Sequence, residues 1–381
     1  MTVSVLSPTA KLLRQLVRIP SVNPHGQPGV SVSETGERAC AEAVGEFLRR
    51  AGAAVELREV LPGRPNVIGV FKPRGKVTRR LLLAPHTDTV SVSGMTIRPF
   101  AATVSGGKLY GRGASDTKGP LAAMLRALRE FTVSAAFRRG GLEITFAGLM
   151  GEEAGNHGAR AWARQGPRYD LAIIGEPTEW RVVHAHKGCA WLTFTVSGRA
   201  AHAATPAAGV NAITAATPLL LWLEQTMTPR LAKFTHPSLG PTTLAITTIS
   251  GGTKDNIIPD RCEIHADLRY TPPLTAGRAA RLIRAGLRQR GLRATVSVNS
   301  DNRPLHTPAD NALVRAILPH TRGLTTAPWF CDAALFGARG IPAVALGPGS
   351  IRQAHTAAEF IRLADLERGK DGYLKILAAL V

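Results

Sequence analysis

Residues 80–88 read Arg80-Leu-Leu-Leu-Ala-Pro-His-Thr-Asp88, a continuous apolar run that ends in a proline and is followed at once by a histidine and an aspartate. A strand with one wet face alternates apolar and polar residues, whereas a strand covered on both faces reads as an unbroken apolar run. Runs of the same kind recur at 66–71, 142–147, 171–174 and 343–346, with an amphipathic helical pattern before the first of them at 36–51 and another between them at 120–131. This alternation predicts an α/β protein in which a sheet is covered by helices on each side.

Between 187 and 299 the pattern changes. Strands are expected at 190–197, 243–249, 261–270 and 293–298, with helices at 210–227 and 276–290. The order β-α-β-β-α-β is that of a ferredoxin-like α+β unit with a core of its own. Three segments are therefore expected: 1–186 and 300–381 forming one domain, and 187–299 inserted into it. At the N-terminus, Ser7-Pro8 followed by Leu12, Leu13, Leu16 and Val17 reads as a capped amphipathic helix. No signal-peptide pattern and no apolar run long enough for a membrane span is seen, so a cytoplasmic protein with no membrane partner is expected. Cys40, Cys189, Cys262 and Cys331 are widely spaced, which fits reduced core residues better than disulfides or a thiolate metal site.

The formal charge of +20 raises the question of nucleic acid. The basic residues are dispersed, as at Arg278, Arg281, Arg284, Arg288 and Arg290, with no recognition motif and no interleaved aromatics. A solvated basic surface is expected, with no specific nucleic-acid partner. Salt-sensitive retention on DNA would reverse that reading.

The chemistry is concentrated in five short motifs: His86-Thr-Asp88; Gly111-Arg-Gly-Ala-Ser-Asp116-Thr-Lys-Gly119; Gly151-Glu-Glu153; Gly175-Glu176-Pro-Thr; and Ala354-His355. A single histidine after a strand, or one glutamate pair, is ordinarily structural or solvated. Several carboxylates gathered at one end of a sheet are different, because they repel one another unless cations are present.

Together, in this order and over nearly the whole chain, these motifs resemble the acetylornithine deacetylase, succinyl-diaminopimelate desuccinylase, glutamate carboxypeptidase and aminoacylase group of dinuclear zinc peptidases. The resemblance implies a zinc-peptidase-like mixed sheet with an inserted dimerisation domain. It implies that His86 and Glu176 bind one divalent ion, that Glu153 and His355 bind another, and that Asp116 bridges them before a cis Asp116–Thr117 bond. Asp88 would accept the other imidazole N–H of His86. Two divalent ions against three carboxylates leave one positive charge, which a hydroxide would cancel. Oxygen and nitrogen ligands without thiolate suit zinc, with cobalt or manganese as substitutes. Glu152 is expected to point away from its ligating neighbour in an extended segment and to act as general base.

In the inserted segment, Ser197-Gly-Arg-Ala-Ala-His202 matches the place of a histidine that in the family reaches the substrate carbonyl oxygen of the other subunit of a homodimer, an oxyanion donor. Asn256 and Arg269 match positions that hold the substrate carboxylate. The chain departs from the pattern at Ala203-Ala204, Ser91 and Cys331. The implied reaction is removal of an N-acyl group, acetyl first, from a small amino acid such as N-acetylornithine. A desuccinylase or a carboxypeptidase-like dipeptidase is the alternative of the same chemistry. A metal-binding protein that has lost catalysis is the alternative of another class, and the intact Glu152 argues against it.

Overall fold

The first helix starts where its capping chemistry places it. The Ser7 hydroxyl accepts the Ala10 N–H at 3.0 Å, and Pro8 at the first turn has no N–H to leave orphaned. Pro8–Val17 then buries Leu12, Leu13, Leu16 and Val17. The computed structural model describes residues 6–25 and 34–381. The chain divides into two compact units, one running up to His184 and resuming over His306–Thr325 and Cys331–Val381, the other comprising Ala185–Leu305 and Thr326–Phe330.

In the first unit, Val77–Pro85 lies parallel to Gly141–Gly148 on one side and to Leu171–Gly175 on the other. Ala343–Ala345 continues the parallel set beside Leu171–Gly175. Arg64–Phe71 pairs antiparallel with Gly141–Gly148 and forms a hairpin with Ala54–Leu61, so the sheet is mixed. Helix Arg38–Arg50 packs on Arg64–Phe71, and helix Lys118–Phe131 packs against Pro8–Val17 and Leu363–Ala379. Leu16, Leu83, Leu121, Leu125, Phe146, Ile173 and Tyr373 share this core. The apolar runs are buried because helices cover them, as their composition requires.

The second unit holds an antiparallel sheet in the order Thr243–Gly251, Arg261–Tyr270, Gly188–Ser197, Thr295–Asn302. Along Arg261–Tyr270 burial alternates strictly. Ile264, Ala266 and Leu268 face a core that includes Leu219, Ile283 and Leu287 of the helices, and Glu263, Asp267 and Arg269 occupy the opposite face. The helix expected at 210–227 is Ala212–Trp222 followed by a wider turn, Leu223–Met227, and a further short helix, Thr228–Ala232. Pro218 lies within Ala212–Trp222, and a proline in a helix lacks an N–H donor and crowds the preceding turn, a cause of local irregularity. The last strand runs past the expected 293–298 to Asn302 through a register shift between Val298 and Ser300. The four cysteines are buried and none is in a disulfide. No helix among the described residues is long and apolar enough to cross a membrane.

Candidate metal centre

The acidic and histidine residues gather where the parallel strands end. His86 follows Val77–Pro85, Glu152 and Glu153 follow Gly141–Gly148, and Glu176 follows Leu171–Gly175. Asp116 precedes helix Lys118–Phe131 and is joined to Thr117 by a cis peptide. In each of two groups the ligand atoms all lie within 4.8 Å of one another: His86, Asp116 and Glu176, and Asp116, Glu153 and His355. Asp116 is common to both. Its Oδ1 is 3.1 Å from His86 Nε2 and its Oδ2 is 3.5 Å from His355 Nε2, so each oxygen faces one group. His355 Nε2 is also 3.2 Å from Glu153 Oε2.

Two observations fit this set to divalent cations. Glu153 Oε1 and Glu176 Oε1 are buried without a hydrogen-bond partner, and buried carboxylate oxygens are ordinarily satisfied. Burial also pushes the Glu176 carboxyl well above its ordinary range and raises that of Glu153, with Asp116 adding to both. Cations here would supply the missing partners and reverse the repulsion. Burial works on Asp116 as well, but hydrogen bonds from His355 and His86 hold it below the usual carboxylate range. Hydrogen bonds to Asp116 and Glu153 lift His355 to about 10. Oxygen and nitrogen donors without a thiolate match zinc, cobalt or manganese.

Asp88 is buried and does more than face His86. His86 Nδ1 lies 3.0 Å from the Asp88 backbone oxygen and 3.3 Å from its Oδ1. The carboxylate accepts Asn23 Nδ2 at 2.8 Å and the backbone N–H groups of Glu152 and Glu153 at 3.0 Å each. Residues 152–155 form a turn, not the extended segment expected from sequence. Positive φ at Gly151, Gly155 and Asn156 sets its curvature, and Asp88 clamps its two amides. The turn brings Glu153 into the second group, and Glu152 belongs to neither. Burial pushes Glu152 well above the ordinary carboxylate range, a shift to which Asp332, Glu176 and Glu153 add. Asp332, buried and bonded to Asn156 Nδ2 at 3.0 Å, is raised to about 7 by burial.

The motifs did not reveal Glu359. This fully buried carboxylate accepts the N–H groups of Ser115 (2.8 Å), Asp116 (3.0 Å) and Gly113 (3.0 Å) and receives Arg112 Nη1 at 2.8 Å. Gly113, at φ +82, presents its amide from a conformation that L side chains rarely adopt. Lys118 is also buried, donating to the Leu16 and Ile19 carbonyls at 3.1 and 2.7 Å. The available signal was the turn Gly111–Gly119, whose many amides need an acceptor.

The remaining expected site residues belong to the second unit. His202 pairs with Ile257 across a short antiparallel bridge, beside Asn256. Its Nδ1 accepts the Ala204 N–H at 3.0 Å, which leaves the proton of a neutral ring on Nε2. The Asn256 carbonyl accepts the Ala203 N–H at 3.0 Å. Arg269 directs Nε and Nη2 at Asp267, at 2.7 and 3.0 Å, and its side chain is 33% exposed.

The family model described as peptidase family M20/M25/M40 matches residues 82–379, and the chain belongs to that family. It is a metal-dependent hydrolase of amide bonds. The chain is 31% identical over 368 residues to the acetylornithine deacetylase of Proteus mirabilis (strain HI4320), covering 94% of this chain and 92% of that protein. The M20 family metallo-carboxypeptidase Sso-CP2 of Sulfolobus solfataricus superposes with a TM-score of 0.81 at 17% identity, over 98% of this chain and 99% of that one. A dinuclear metal-binding peptidase of the family from Bacillus subtilis does so with a TM-score of 0.67 at 15% identity, over 97% and 96%.

Proposed function

We propose that the protein removes an N-acyl group, acetyl in the first instance, from an amino acid of the N-acetylornithine kind. The observation that carries this reading is the sharing of Asp116 between the two ligand groups, with Glu152 beside them and outside both. The 31% identity to an acetylornithine deacetylase favours acyl-amino-acid substrates over peptides.

His86 and Glu176 would hold one divalent ion and Glu153 and His355 the other, with Asp116 between. Zinc fits, and cobalt or manganese could substitute. When bound, such ions polarise an amide carbonyl and lower the pKa of water. Glu152 takes the proton from the attacking water onto its carboxylate and returns it to the departing amine nitrogen. Asp88 holds the turn that aims Glu152 and Glu153. His202 donates Nε2–H to the carbonyl oxygen as it gains charge, acting in the site of a second copy. Asn256 and Arg269 receive the substrate carboxylate.

A homodimer through the second unit is supported by the open edge strand Thr243–Gly251 and by Val210, Ile213, Ile249 and Ile257, apolar residues exposed by 36–50%. The four buried cysteines, none of them in a disulfide, fit a reducing, cytoplasmic setting.

The test is hydrolysis of a panel of N-acetyl and N-succinyl amino acids and dipeptides, before and after chelation and with zinc or cobalt restored. Metal-restored activity greatest on N-acetyl amino acids is expected. A preference for succinyl substrates or dipeptides would replace the acetyl assignment, and activity indifferent to chelation would remove the metal mechanism.

A further inference from the structure

A cleft of about 470 Å³ opens in the first unit, within the size range of small-molecule sites. Four arginines line it: Arg322, Arg352, Arg362 and Arg368. The acids on its wall are Glu179 and Asp365, giving a net lining charge of +4 − 2 = +2. Both acids are engaged: Glu179 Oε1 accepts the Ser350 hydroxyl at 2.6 Å, and Asp365 pairs with Arg368. Among the described residues Arg322, Arg352 and Arg362 form no ion pair. Three exposed arginines outside any ion pair thus line one concavity, and its positive lining favours an anion.

The remaining wall is apolar. Trp180 and Phe360 line the cleft, and Trp180 is held by Nε1–H donated to the His320 carbonyl at 2.8 Å and by an edge-on contact with Tyr373, ring centroids 4.8 Å apart. Glu179 and Trp180 both have positive φ, 55° and 65°, a conformation that is sparse for any residue with a Cβ and an outlier for a bulky one. Their amides are tied to the Gly349 and Gly347 carbonyls at 2.8 and 3.0 Å. The indole is therefore fixed in place. Arg362 is the N-cap of Leu363–Ala379, so the start of that helix, with Asp365 in its first turn, borders the cleft.

We infer that this cleft binds a small organic phosphate monoester. One such head group carries close to two negative charges at neutral pH, matching the lining, and offers oxygens to the planar forks of the arginines. Trp180 and Phe360 receive the organic part. The inference is independent of the hydrolase reading, since it uses none of the metal-holding residues.

The probe is adenosine monophosphate, with adenosine as its uncharged counterpart, titrated by calorimetry into the metal-loaded protein. Arg322 and Arg352 are exposed, so Arg322→Ala/Arg352→Ala should fold normally, as circular dichroism would check. Each lost charge-assisted contact should weaken binding roughly tenfold, about 100-fold for the pair. Arg281→Ala/Arg288→Ala, which removes the same charge from helix Ala276–Gln289, should leave affinity unchanged. Adenosine should show no heat of binding. Equal weakening by both double variants would reduce the effect to diffuse attraction by a chain of net charge +20 and overturn the proposal. So would unchanged affinity in the first variant, which would place the nucleotide elsewhere, or adenosine binding as tightly as the monophosphate.

Discussion

Glu359 Oε1 lies 3.0 Å from the backbone nitrogen of Asp116, so a carboxylate far along the chain holds the residue that both metal-holding groups share. The same carboxylate takes three backbone amides and Arg112. Removing one partner of a buried charged network leaves the others uncompensated, so Glu359→Ala is expected to cost roughly 3–5 kcal/mol and to weaken zinc binding. Melting temperature and zinc titration measure the two effects. Zinc affinity unchanged in a folded but destabilised variant would confine Glu359 to the fold.

Glu152→Gln keeps the shape of the side chain and leaves both ligand groups intact. Loss of proton transfer should lower kcat by roughly 10²–10⁴-fold, with zinc stoichiometry unchanged by elemental analysis. Near-full activity in that variant would move the base role elsewhere.

His202 presents Nε2–H because Nδ1 is occupied by the Ala204 amide. If it serves a second copy's site, mixing inactive His202→Ala and Glu152→Gln chains should regain activity, because a heterodimer then contains one complete site. A mixture as inactive as its components, at a concentration where the chains associate, argues for action within one chain.

Arg269 is oriented by Asp267, two residues away on the same face of its strand. An exposed pair contributes about 0–1 kcal/mol, whereas truncating a buried charged partner costs roughly 2–5 kcal/mol. The larger figure, seen in kcat/KM on N-acetylornithine but not on its α-amide, is expected for Arg269→Ala. Equal losses on both compounds would leave Arg269 as a support for Asp267.

Asp332 has its pKa raised by burial from the ordinary 3.8 to about 7. The folded chain therefore keeps a proton that the unfolded chain has released. Its contribution to stability is full below about 3.8, falls across that interval and is lost above about 7. Asp332→Asn removes this loss and can still accept from Asn156. In metal-free protein, the melting temperature of the variant relative to the parent should rise between pH 4 and 7 and level off above. A difference independent of pH would show that Asp332 ionises normally in the fold.

The sequence by itself determined what local composition can carry. Unbroken apolar runs such as 81–84 mark strands covered on both faces, and short motifs place His86, Asp116, Glu153, Glu176 and His355 just beyond or between such elements. Those readings needed only neighbours a few positions away. Tertiary structure decided the rest. The turn at 152–155 depends on Asp88, the loop of Asp116 on Glu359, and the arginine cleft on residues from Glu179 to Arg368. A backbone amide has no sequence signature for its acceptor, and a carboxylate or guanidinium looks the same in a chain whether it will be solvated or buried. Only closure of the fold sets which distant charge meets which amide, because burial removes water as the alternative partner.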